Sequence, residues 1–156
     1  MFALIKDIHN IVRWIVLLVG VWAVVRAWWG LLVRKEWSKG DRRAGIIFTS
    51  ALDIQLLLGV ILYFISPLTQ SALRDFSGAL DNAETRFFAF THIVWTLLAA
   101  VLAHLGRAST KKAPTTRTRF RRAALTFTLA LVLILLGIPW LWLDVGRAWL
   151  PGFLMP

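Results

Sequence analysis

Residues 8–33 read IHNIVRWIVLLVGVWAVVRAWWGLLV, and only His9, Arg13 and Arg26 interrupt the run with titratable side chains. At about 1.5 Å per residue a helix of this length measures about 39 Å, more than the ~30 Å of a bilayer's hydrocarbon core. Lipid gives an open backbone no hydrogen-bond partner, so such a run crosses as a helix. Working outward, residues 44–66, 87–106 and 123–143 form three more runs, each twenty residues or longer. The expected fold class is an all-α membrane protein, a single domain over residues 1–156 built as a four-transmembrane-helix bundle.

Charge orients that bundle. The chain carries a formal net charge of +10. Residues 34–43 and 107–122 hold twelve Lys/Arg against Glu36 and Asp41, which accounts for all of it. The positive-inside rule places both basic loops in the cytoplasm and both termini on the outer, periplasmic side of an inner (plasma) membrane. Contact with anionic lipid explains the basic rim, and no nucleic-acid partner is expected. The first run is too long for a signal peptide and lacks a small-residue cleavage pattern. Absence of cysteine excludes disulfides, thiolate catalysis, cysteine-ligated iron–sulfur clusters and c-type haem attachment.

Within the spans, Asp7 is the expected helix N-cap. Trp14 at one end and Trp28, Trp29 and Trp37 at the other suit aromatic anchoring, and Gly20 and Gly30 would let a neighbour approach closely. Arg26 and Asp53 both lie roughly 12 Å from the basic side, so an Arg26–Asp53 ion pair with Gln55 nearby is expected to fix register. Pro67 should stop the second span, and residues 71–80 suit a short helix on the membrane surface. Asp81-Asn82-Ala83-Glu84 reads as a helix start. Ala89, His92, Thr96, Ala99 and Ala103 share one helical face, small except for the imidazole. Such a stripe serves close helix packing or leaves room for a flat macrocycle. Pro139 should kink or end the fourth span. Trp140, Trp142 and Trp149 would form the outer aromatic belt, with residues 145–156 along the outer surface.

Depth sorts the three histidines. Two imidazoles on one haem iron must come from different helices at matching depth. His92 and His104 share a span, about 18 Å apart along it. His9 and His104 lie at opposite membrane faces. His9 and His92 form the one workable intrachain pair. Arg13, one turn from His9, and Arg86, above His92, are the candidate partners for haem propionates. His104 reads as an interface residue near the cytoplasm.

The pieces His9-Asn10-Ile11-Val12-Arg13-Trp14, Phe90-Thr91-His92 and Val101-Leu102-Ala103-His104 resemble small four-helix bacterial membrane proteins of the cytochrome b-like kind. The resemblance implies b-type haem held between helices by histidines. Two-haem members use four histidines, and this chain has three. Only a single-haem version carries over, onto His9 and His92.

The expectation is therefore an electron-transfer subunit with one bis-histidine haem b near the outer face. Its partners would be other membrane subunits of a respiratory or photosynthetic complex, with quinone as a candidate. Two alternatives stay open: a cofactor-free structural subunit of such a complex, and a pigment-binding subunit. No His/Glu metal motif, nucleophile triad, phosphate loop or paired carboxylates within one span suggests an independent enzyme. No inverted repeat suggests a transporter.

Overall fold

The structure, a computed structural model, describes residues 1–140 and 143–145. All regular elements among the described residues are helical. The order is α1 (Phe2–Leu32), α2 (Lys39–Ile65), α3 (Pro67–Arg74), α4 (Phe76–Asp81), α5 (Ala83–Arg86), a π-helical turn (Phe87–Thr91), α6 (His92–Lys111) and α7 (Thr116–Gly137). Four helical segments are long and apolar enough to cross a membrane: Phe2–Leu32, Lys39–Ile65, Ala83–Lys111 and Thr116–Gly137.

Each of these helices runs beyond its apolar stretch at one end or both, because caps and prolines set its limits. Asp7 is not the N-cap of α1, which begins at Phe2. No Gly or Pro precedes Asp7 to stop the helix, and Ala3, Leu4 and Lys6 are strong helix formers. Ser38 starts α2 with a capping box: its hydroxyl accepts from the Asp41 N–H, while Asp41 accepts from the Ser38 N–H. Thr115 caps α7 without a box, its hydroxyl accepting from the Thr118 N–H. Pro67 ends the second span by opening α3, and Pro139 comes two residues after the end of α7 at Gly137.

The connection between the second and third spans is two short helices rather than one. Asp75 interrupts residues 71–80 and caps α4, accepting from the Gly78 N–H at 3.0 Å. Asn82 is the predicted helix start of α5, accepting from the Thr85 N–H at 2.9 Å.

Around the bundle, α1 packs on α2 and α7, and α6 packs on the same two. α1 and α6 therefore face one another across the middle. The core is built largely from small residues, with Ala23, Ala27, Ala99, Ala103, Ala124 and Ala130 all buried. Small contacts let backbones approach, and van der Waals packing replaces the hydrophobic effect as the glue in lipid. At Gly20 and Gly30 the helices come close. A Cβ on Gly30 would sit 2.1 Å from the Phe120 ring, and one on Gly20 would sit 2.9 Å from Phe48. The outside is correspondingly apolar, with Leu18 70%, Leu57 62% and Phe64 66% exposed. Water would not tolerate that surface, whereas lipid does.

Candidate functional site

His9 lies two turns into α1, and His92 opens α6 directly after the π-helical turn. Their ring centroids are 6.2 Å apart with planes at 69°. The bundle thus brings together the pair that depth matching selects. Both helices run in one direction across the diagonal of the bundle, so residues near corresponding ends meet in the middle.

Each imidazole is fixed by a second element. Pro139 denies α7 a further turn, which leaves its last carbonyls without helical donors. His92 Nδ1 takes up one of them, donating to the Gly137 carbonyl at 2.6 Å. Trp140 Nε1 takes up another, donating to the Leu135 carbonyl at 2.9 Å. On α2, the Gln55 amide lies 3.1 Å from His9 Nε2. Gly59, one turn further along the same face, keeps that wall low against the His9 ring. His9 Nδ1, Asn10 Oδ1 and Gln55 Oε1 are buried without a hydrogen-bond partner. Buried polar atoms rarely stay unpaired, so water or another polar group ordinarily completes them.

The π-helical turn re-aims the first turn of α6, because it holds one more residue per turn than an α-helix; such turns recur at functional sites. It sets Phe87 and Phe88 against the His92 ring, at centroid distances of 6.2 and 6.3 Å. The small stripe below His92 is used for close packing: Ala89, Ala99 and Ala103 are buried, and Gly137 of α7 lies against Trp95 and Thr96.

Arg13 stacks its guanidinium over Trp14, 5.4 Å from the ring centre. Arg86 turns away from them to donate to the Leu80 carbonyl, so it ties α5 to α4. It also lines a cleft of about 310 Å³ with Phe87, Thr91 and Asp144. Trp142 and Trp149, expected in the aromatic belt, lie outside the described residues, as does most of the tail.

The expected Arg26–Asp53 pair does not form. Arg26 reaches Asp41 instead, at 2.8 Å, and Lys35 joins the same carboxylate oxygen at 2.9 Å. Arg26 extends its long side chain toward the wet end of the bundle, where the first turn of α2 presents a carboxylate. Asp53 lies about 18 Å further along α2 and about 120° around it. It bonds His104 Nε2 at 2.7 Å. Gln55, two residues on, points to nearly the opposite side and so belongs to His9 rather than to Arg26. Sequence reasoning misses the amide's role because its partner is remote in sequence.

Among the described residues no three His, Asp or Glu side chains are placed to share a metal ion. A bare transition-metal ion ordinarily takes three or four protein donors. Two imidazoles suit an ion that arrives with its own in-plane ligands. With metal–nitrogen bonds of about 2 Å, two imidazoles on opposite sides of one ion hold their centroids about 6 Å apart, the separation seen here. In separation alone, the two rings match a pair of imidazoles on one such ion. Comparison of the chain with protein-family models, with curated proteins and with solved structures finds no match in any of the three.

Proposed function

We propose that the chain is a membrane electron-transfer subunit of the b-type cytochrome kind, with one haem between His9 and His92. The observation that carries this reading is the 6.2 Å meeting of two histidines from diagonal helices, beside buried polar atoms that lack partners. Haem, when bound, supplies a one-electron redox centre.

The chain's own residues would hold and tune it. The Gly137 carbonyl orients His92 and would leave Nε2 free to ligate, as outer-shell acceptors do for metal-bound histidines. If the Gln55 amide is turned over, Oε1 accepts from His9 Nε2–H and the Nδ1 lone pair is left bare for a metal. Arg13 and Asn10, close to His9 on α1, are the candidate groups for propionates. Arg86 is the other candidate, and its guanidinium is engaged by the Leu80 carbonyl. The charge distribution supports cytoplasmic basic loops and outer termini, which puts the histidines near the outer face of an inner membrane. The same features suit a place within a larger energy-transducing complex, where quinol is a candidate electron donor.

A second reading, a cofactor-free structural subunit, is favoured by one observation: both imidazoles already have partners inside the bundle, Gln55 and Gly137. A reduced-minus-oxidised absorption spectrum of the purified protein separates the two. A b-type band is expected; its absence sinks the haem reading and leaves the structural one. With the band present, His92→Ala abolishes it and His104→Ala spares it.

A further inference from the structure

Asp53 and His104 form a polar pair with little cover. The His104 and Asp53 side chains remain 44% and 51% exposed while bonded to each other at 2.7 Å. Asp53 sits at the middle of α2, about 20 Å from either end. Ionisable groups at that depth ordinarily face the bundle interior or a watery cavity, because hydrocarbon solvates neither member of the pair. The pair also has unused capacity. Asp53 Oδ2 and His104 Nδ1 make no hydrogen bond among the described residues.

The surface around the pair has the spacing of a helix–helix contact. Leu57 and Val60 come after Asp53 at intervals of four and three, and Leu97 and Val101 precede His104 by seven and three. All four are exposed: Leu57 62%, Val60 45%, Leu97 45% and Val101 54%. This is the a/d spacing with which left-handed helix pairs interlock.

We infer that this α2–α6 face is the contact between two copies of the chain. A two-fold axis along the membrane normal makes each residue meet its symmetry mate's surface at its own depth. Asp53 and His104 share one depth, so a second copy brings its His104 Nδ1 to Asp53 Oδ2, and its own Asp53 to His104. A different polypeptide would need a matching donor and acceptor at that level, whereas a second copy has them by symmetry. The inference does not depend on haem.

The chain has no cysteine, so reporter cysteines can be placed singly. In the full-length protein reconstituted into bilayers, Leu57→Cys mixed with Val101→Cys should give disulfide-linked dimers on mild oxidation. Leu129→Cys, on an exposed position of α7, should stay monomeric. These substitutions replace exposed apolar side chains, so the fold is not at stake. Asp53→Leu with His104→Leu should weaken dimerisation about tenfold. Equal cross-linking at position 129 overturns the proposal, as does absence of dimers from the 57 and 101 pair. So does a double-leucine variant that associates as tightly as the wild type, or a monomer that pairs through this face with another polypeptide.

Discussion

At the residue scale, Asp41 carries the heaviest duty of any single side chain outside the histidine site. One oxygen accepts from Arg26 and Lys35, and the other accepts the Ser38 N–H and hydroxyl. Removing it leaves Arg26, Lys35 and the start of α2 without their shared carboxylate, so Asp41→Ala should destabilise the fold by about 3 kcal/mol, whereas Asp53→Ala should cost the monomer about 1 kcal/mol or less. Thermal melts in detergent decide between them, and the reverse order would restore the Arg26–Asp53 pairing. Arg34, after α1, has φ 53°, a left-handed conformation that suits glycine. Arg34→Gly should stabilise by about 1 kcal/mol in the same assay. Asp75 is held below the usual carboxylate range by the Gly78 N–H and the Ser77 hydroxyl. A depressed folded-state pKa contributes stability that is present above the ordinary carboxylate value and is lost as pH falls through the lowered one. The start of α4 should therefore loosen in acid, seen as faster exchange of the Gly78 amide beyond the intrinsic pH effect; an unchanged protection factor would contradict this.

At the element scale, helix pairs are set by where a backbone can come close. Gly30 receives the Phe120 ring of α7 so tightly that any side chain must displace it. Gly30→Leu should cost about 3 kcal/mol or prevent α1 and α7 from packing, while Leu31→Ala next to it should cost less; thermal melts of the two variants rank them. Helix spans are legible in the sequence because apolar length is a local property. The caps are legible in part: Asn82 and Pro67 announce themselves, but Ser38 and Thr115 start helices within polar stretches that give hydropathy no edge. The π-helical turn before His92 leaves no trace in residues Phe87–Thr91, since five apolar and small residues suit an α-turn equally well.

At the scale of the whole molecule, the basic loops meet at one end, where the Thr116 hydroxyl donates to Glu36 at 3.1 Å. Lys112→Cys, in the connection between α6 and α7, should resist an impermeant thiol reagent applied from outside intact cells. Labelling there would reverse the proposed topology.

The sequence by itself determined four membrane-length helices, their punctuation by proline and Asn82, and the matching depth of His9 and His92. Each depends on counting residues along a helix, and length and depth are additive along a chain. Tertiary structure alone decided what each side chain meets. Arg26 found Asp41, Asp53 found His104, Gln55 found His9 and Gly137 found His92. Those choices depend on rotation about the helix axis and on the reach of long side chains. Both are settled by how α1, α2, α6 and α7 pack around one another, which no count of residues along a single helix contains.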